Sequence, residues 1–320
     1  MPAAPRVTVV IPVYNERDNL VPLHQALRES LGRRAYELVF VDDGSTDGGL
    51  EVLEGLVRRD PGHTRVVVLR RNFGQTAAIA AGIDHARGDV VVLIDADLQN
   101  DPFDIPRMLE KIDEGYDVVS GWRVKRKDTF LTRTLPSRMA NALISWVTGV
   151  PLHDYGCTLK AYRREVLQGF RLYGEMHRFI PAYAGQVGAR IAELPVEHHA
   201  RAHGRTKYGL ERTLKVLLDL FTVKFLVSFA NKPIYLFGGT GFALILPSFA
   251  VLFVLLVRRL WLGTSVLGSP LFQTATMLTI LGFQSILMGL IAELLARTYH
   301  ESQAKPTYSV RRVLGGRSRK

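Results

Sequence analysis

Gly88-Asp89-Val90-Val91-Val92-Leu93-Ile94-Asp95-Ala96-Asp97-Leu98-Gln99 is an almost unbroken apolar run, rich in β-branched residues, that ends in two carboxylates one residue apart. Such a run predicts a buried central strand that delivers Asp95 and Asp97 to the lip of a sheet. On extended backbone, residues two apart share a face, so both acids are expected to point the same way and to suit a hard divalent cation. Acid pairs at this spacing also occur in solvated loops, and the flanking segments decide between the two.

Those segments alternate. Residues 7–11 predict a strand stopped by Pro12, with Asn15 as the N-cap of a following helix and Asp18 in the capping-box position. Leu20, Leu23, Leu27 and Leu31 recur at helical spacing, and residues 38–41 form a second apolar strand running into Asp42-Asp43-Gly44-Ser45-Thr46-Asp47. Leu50, Leu53 and Val57 mark another helix, residues 66–69 a third strand, and residues 74–86 a small-residue helix expected under the Asp95 strand. This order predicts an α/β domain of three layers around a mostly parallel, Rossmann-like sheet with right-handed crossovers. In such sheets ligands bind beyond the carboxyl ends of the strands. Tyr14-Asn15-Glu16, Asp42-Asp43, Arg71-Asn72 and Asp95-Ala96-Asp97 all fall there. Neither a G-x-x-x-x-G-K-[ST] loop nor a G-x-G-x-x-G turn follows the first strand, which argues against a P-loop or dinucleotide enzyme.

Composition sets the surroundings. The formal net charge of +11 favours anionic partners such as a membrane surface, a phosphorylated substrate or nucleic acid. Cys157 is the single cysteine, which excludes an internal disulfide and a multi-cysteine zinc site. Residues 1–6 lack the apolar core of a leader peptide, so the first domain is expected in the cytoplasm. Residues 234–257 and 271–292 contain no charged residue, and each is long enough to cross a bilayer as a helix. Before them, residues 210–230 carry Leu214, Leu217, Leu218, Phe221, Phe225 and Phe229 on one side and Arg212, Lys215 and Lys224 elsewhere, the pattern of a helix lying in the membrane interface. Arg258 and Arg259 in the short connection are outnumbered by the cations of the tail, which places the tail in the cytoplasm with the first domain. Gly238, Gly239, Gly241, Gly282 and Gly289 are small enough for close helix contact, within the chain or in a homo-oligomer. The expected organisation is a domain at 1–209, an interfacial helix region at 210–232, two spans within 233–296 (about 234–257 and 271–293) and a basic tail at 297–320.

Val9-Val10-Ile11-Pro12-Val13-Tyr14-Asn15-Glu16, Val41-Asp42-Asp43-Gly44-Ser45-Thr46-Asp47-Gly48, Arg71-Asn72-Phe73-Gly74 and Asp95-Ala96-Asp97-Leu98-Gln99, in that order, resemble the family-two glycosyltransferases of A-type fold. Asp-Ala-Asp-Leu-Gln is similar to the branch that moves a sugar onto a polyprenyl phosphate, typified by dolichol-phosphate mannose synthases and bacterial undecaprenyl-phosphate sugar transferases. Asp154 to Arg164 resembles the aminoarabinose transferases of that branch, with Lys160 standing where arginine is expected. The charge is kept, but the bidentate fork is lost. Arg201-Ala202-His203-Gly204-Arg205-Thr206-Lys207-Tyr208 matches the family's Arg-x-x-Gly-x-Ser/Thr-Lys loop, and the tail from Tyr299 to Val310 is similar as well.

The resemblance implies inverting transfer from a UDP- or GDP-linked sugar to an undecaprenyl or dolichyl phosphate at the inner face of the cytoplasmic membrane. Nucleic acid is not an implied partner. Asp95 and Asp97, with Gln99 nearby, are implied to hold Mg2+ or Mn2+. Pro12, Tyr14, Glu16, Val41, Asp43, Asn72 and Ala96 are implied donor contacts, and Arg201 and Lys207 are implied to close over the diphosphate. Past the strand expected at residues 117–121, an acceptor phosphate needs guanidinium donors, for which Arg123, Arg133, Ser137 and Arg138 are the candidates. Asp154 serves equally as a base or as an orienting residue. Met139, Leu143, Trp146 and Val147 mark the core or interface side of a helix at 135–147. His198, His199 and His203 lack a carboxylate or thiolate cluster, so metal binding is not expected of them. Other readings are a transferase with a polysaccharide or glycolipid acceptor, against which stands the absence of Gln-x-x-Arg-Trp, a nucleotidyltransferase that releases pyrophosphate, and a non-catalytic nucleotide-sugar sensor.

Overall fold

The structure is a computed structural model that describes residues 5–124, 141–142, 144–146, 148–168, 176–199, 234–263, 265–302 and 308–315. The chain divides into two compact units, one formed by Met1–Val223 with Pro306–Lys320 and the other by Lys224–Lys305.

The first unit is built on β1 (Val7–Val13), α1 (Arg17–Leu31), β2 (Tyr36–Asp42), α2 (Gly49–Arg59), β3 (Thr64–Leu69), α3 (Gln75–His85), β4 (Val90–Leu93), α4 (Ile105–Asp113), β5 (Val118–Trp122), β6 (Lys160–Arg163), α5 (Ile180–Gln186), β7 (Ile191–Pro195) and β8 (Val310–Leu314). Its eight strands form one sheet in the order β7-β5-β6-β4-β1-β2-β3-β8. β1 pairs in parallel with β2 and β4, and β2 with β3. β6 and β8 run antiparallel to their neighbours. Alternate strand residues such as Val9, Ile11, Phe40 and Val92 join the leucines of α1 and the apolar face of α4 in one core. The α3 side of the sheet carries the other layer.

Several expectations shift in detail. β1 does not stop at Pro12 but continues to Val13. Pairing with β4 ends at Val10 opposite Leu93, so the missing N–H of Pro12 falls where no ladder partner remains. Asn15 is not the helix N-cap. It takes a left-handed φ of 55°, its side-chain oxygen accepts from the Thr46 N–H at 2.8 Å, and Asp47 caps α1 from the next loop through the Arg17 N–H at 2.9 Å. β4 ends at Leu93, so Asp95 and Asp97 are not on continued strand; Asp97 lies in a turn completed by Leu98 at φ 59°. Trp146 is 82% exposed and therefore not core, whereas Ile144 is buried. The interfacial helix expected at 210–232 lies outside the described residues.

α3 packs chiefly on β1 and β2 rather than under the Asp95 strand. Gly82 makes that approach possible, since a Cβ there would come within 2.2 Å of Val10 Cγ1. Gly82→Val is expected to destabilise the first unit by about 3 kcal/mol, at the upper end of overpacking costs. Chemical denaturation of the detergent-solubilised protein, followed by tryptophan fluorescence, checks this.

In the second unit, α6 (Ile234–Leu262) and α7 (Pro270–Ser302) pack against each other. Both outrun their apolar stretches, because a helix satisfies its backbone internally and needs no apolar side chain to continue; α6 carries Arg258 and Arg259 before ending at Gly263, φ 65°. Gly241 and Gly282 set the closest approach, for a Cβ on Gly241 would lie 2.6 Å from the Gly282 carbonyl oxygen. Ser248 and Thr279 hydroxyls meet at 2.7 Å across the pair. Phe242, Leu246, Phe249 and Phe253 face outward, exposed apolar surface suited to lipid.

Candidate active site

The carboxyl ends of β1, β2, β3 and β4 converge on one cavity of about 420 Å3. Pro12, Tyr14, Glu16, Asp43, Asn72, Asp95, Ala96, Asp97, Gln99 and Arg123 all line it. Two loops are held together at its rim. Both oxygens of Asp43 accept backbone N–H groups, from Phe73 at 2.7 Å and Gly74 at 2.9 Å. Burial raises the Asp43 carboxyl above its ordinary range, and those two N–H groups work against the rise. Gly44 is required beside it, with φ at 75° and a Cβ position only 2.8 Å from the backbone of Arg71 and Asn72.

Asp95 follows the end of β4, and its Oδ1 accepts from Gln75 Nε2 at 2.8 Å. Burial first, and the neighbouring Asp97 charge second, push its carboxyl up to about 6. Asp97 is 6% exposed and its Oδ1 accepts from the Gln99 N–H at 3.2 Å. A buried carboxylate pushed up by its neighbour's charge forms a site that a divalent cation would relieve, and carboxylate and amide oxygens are the donors a hard cation takes. Among the described residues no cluster of three His, Cys, Asp or Glu side chains gathers.

Arg123, beyond β5, is held edge-on by Asp154. Its Nε donates to Asp154 Oδ2 at 2.7 Å and its Nη2 to Oδ1 at 2.9 Å, with the side chains 19% and 3% exposed. Burial works against the guanidinium charge, but the hydrogen bond and charge of Asp154 outweigh it and lift Arg123 above its ordinary value. Asp154 is itself fixed, its N–H donating to Glu193 Oε1 at 3.1 Å and its Oδ1 accepting from Gly156 N–H at 3.1 Å.

Val41 is fully buried within β2 and is not among the lining residues. Arg133, Ser137, Arg138, Arg201, His203 and Lys207 lie outside the described residues. The cavity also takes Thr158 and Tyr162 from the Asp154 to Arg164 segment, and recruits Gln75, His177 and Arg178, which had no sequence signal of their own. His198 lines it too, while His199 is bonded to Asp101 at 3.3 Å.

The model of glycosyl transferase family 2 matches residues 8–170. The chain is 42% identical to dodecaprenyl-phosphate galacturonate synthase of Rhizobium johnstonii, over 98% of this chain and 94% of that one. It is 41% identical to undecaprenyl-phosphate 4-deoxy-4-formamido-L-arabinose transferase of Pseudomonas aeruginosa, over 96% of this chain and 90% of that one. Among solved structures, it resembles glucosyl-3-phosphoglycerate synthase from Mycobacterium tuberculosis in complex with Mn2+, uridine-diphosphate and glucosyl-3-phosphoglycerate. The TM-score is 0.53 at 18% identity, covering 71% of this chain and 82% of that one, a likeness of fold.

Proposed function

The chain belongs to glycosyl transferase family 2, and from that premise we propose that it transfers a sugar from a nucleoside-diphosphate donor to a polyprenyl phosphate at a membrane. The observation that carries the reading is the pocket itself, in which Asp95 and Asp97 meet Arg123 beside the loops of the first three strands. Near-full-length identity to two polyprenyl-phosphate sugar transferases supports the acceptor.

The chemistry follows from the residues. An oxygen of the acceptor phosphate, already anionic near neutrality, attacks the anomeric carbon. The bond from that carbon to the donor's diphosphate breaks, and its electron pair leaves on the diphosphate oxygen. No proton needs removal from the nucleophile, so no strong base is needed. Asp154 fits this, because both its oxygens are committed to Arg123. It positions that guanidinium, whose Nη1 is left to meet an anionic acceptor. Asp95 and Asp97, with Gln99, would hold Mg2+ or Mn2+, which neutralises charge building on the departing diphosphate. One displacement without a covalent intermediate inverts the anomeric centre.

Two apolar helices of crossing length support membrane residence. β8 follows both helices in the chain and pairs with β3 of the first unit, which supports an even number of crossings and a tail on the same side as the pocket. With the cation excess of the tail, that side is the cytoplasm. Membranes carrying the protein, given undecaprenyl phosphate and a panel of radiolabelled nucleotide-sugars, are expected to yield lipid-extractable label that requires Mg2+ or Mn2+, with release of nucleoside diphosphate. Release of pyrophosphate, or label only in polysaccharide, would overturn the reading.

A further inference from the structure

The tail beyond the two apolar helices does more than cover a sheet edge. β8 lies antiparallel to β3 with Leu314 opposite Val66, Val313 opposite Val67 and Arg312 opposite Val68, and the register then slips so that Val310 lies opposite Leu69. Arg311 is the extra residue of a bulge in β8. Past the bulge the pairing outlasts β3, for the Arg70 N–H donates to the Ser309 carbonyl oxygen at 2.9 Å, one residue beyond the end of the strand. The next tail residue, Tyr308, donates its hydroxyl to Asp84 Oδ2 at 2.7 Å.

Arg70 and Asp84 bracket one stretch of chain. It holds the loop after β3 and nearly all of α3, and from it Asn72, Gly74, Gln75, Ala78 and Ile79 line the pocket. Asp43 clasps the middle of this stretch through the Phe73 and Gly74 N–H groups, and Gln75 reaches from it to Asp95. Its two ends are held by consecutive residues of the tail. Asp84 stands in the last turn of α3, where the helix dipole disfavours a carboxylate, so the acid works against its own helix and for the contact with Tyr308. Burial first, then the hydrogen bond and charge of Asp84, raise the Tyr308 phenol above its ordinary value, which keeps it a donor to that carboxylate.

We propose that β8 belongs to the donor site: Tyr308 and Ser309 fix both ends of the 70–84 stretch, so that docking of the tail and binding of the nucleoside diphosphate favour each other. Tyr308 is a positioning residue in this arrangement. The inference rests on the glycosyl-transfer reading above for the identity of the ligand alone. Two partners that favour one arrangement of the same segment are coupled, and the coupling is reciprocal. A pocket whose competent arrangement depends on the tail loses apparent affinity in proportion as the tail lets go.

Amide hydrogen exchange reads the coupling in both directions on the full-length, detergent-solubilised protein with Mg2+ and UDP, and with GDP in parallel. The nucleotide that binds is expected to slow exchange in β8 as well as in residues 70–84, and Tyr308→Phe to speed exchange in residues 70–84 of the free protein. Calorimetry should find the nucleotide Kd raised about three- to tenfold in Tyr308→Phe, the worth of about one hydrogen bond, with the acceptor KM unchanged. Asp84→Leu should match that loss, Asp84→Asn, which still offers an acceptor oxygen, should fall short of it, and the Tyr308→Phe/Asp84→Leu pair should lose no more than either change alone. Arg312→Met removes only the half-exposed ion pair of β8 with Glu54 and serves as the control on the same strand, its nucleotide Kd staying within about twofold. Exchange in β8 that ignores both nucleotides, or a Tyr308→Phe Kd equal to that of the wild type, overturns the inference. Reciprocal protection in a protein that passes no sugar to lipid would instead overturn the transfer reading and leave the clamp standing. Transfer to lipid with β8 indifferent to nucleotide would do the reverse.

Discussion

Asp97→Asn is expected to lower transfer from nucleotide-sugar to polyprenyl phosphate by on the order of a thousandfold or more, while the protein stays folded and in the membrane. Asparagine keeps the shape of a side chain that is 6% exposed and can still accept from the Gln99 N–H, so the turn has no reason to open. What is lost is one of the two charges proposed to face a divalent cation. Removing that charge also removes the repulsion that helps push Asp95 up to about 6. The metal-free variant should therefore melt no lower than the wild type, and should lack the rise in Tm expected of the wild type with Mg2+ or Mn2+. Undiminished turnover, or an unchanged metal-induced rise, would remove Asp97 from the metal site.

Breaking the Arg123–Asp154 pair is the second large effect. Asp154→Leu leaves a guanidinium, 19% exposed in its side chain, without its bidentate partner, and should cost about 3 kcal/mol or more of stability. Arg123→Lys keeps the charge but cannot span both carboxylate oxygens, and is expected to lower kcat/KM for the acceptor about a hundredfold with little change in donor affinity. In a double-mutant cycle with Arg123→Met, the coupling energy should be about 1–3 kcal/mol. If Asp154 acted as a base, Asp154→Asn would flatten the acid limb of the pH–rate profile. With Asp154 as a positioning residue, the limb stays and the acceptor KM rises.

The β-branched runs of β1 through β4 made the parallel half of the sheet legible, because a strand buried on both faces must be apolar at nearly every position. The strand-end acids were legible for the complementary reason, since a polar residue directly after such a run has only the rim to go to. β6 was not. Lys160-Ala161-Tyr162-Arg163 is four residues long, carries two cations and owes its place between β4 and β5 to antiparallel pairing across the sheet rather than to any local pattern. β8, Val310-Arg311-Arg312-Val313-Leu314, reads as part of a basic tail, and its partner β3 is far off in sequence. The geometry of the acid pair was missed for a simpler reason: period-two alternation holds only while the strand lasts, and β4 stops at Leu93. His177 and Arg178 reach the pocket by tertiary packing alone.

The late position of β8 has a consequence for biogenesis. β3 is complete once the ribosome has passed Leu69, yet the strand that covers its outer edge begins only at Val310, after both apolar helices have been made. At about 5–20 residues per second, those ~240 intervening residues leave the β3 edge open for roughly 10–50 s, an exposed template for pairing with a neighbouring nascent chain. Synthesis of both apolar helices thus comes before the sheet can close. A chain halted within them stays unsealed at that edge, which ties the last strand pairing of the first unit to completion of the second.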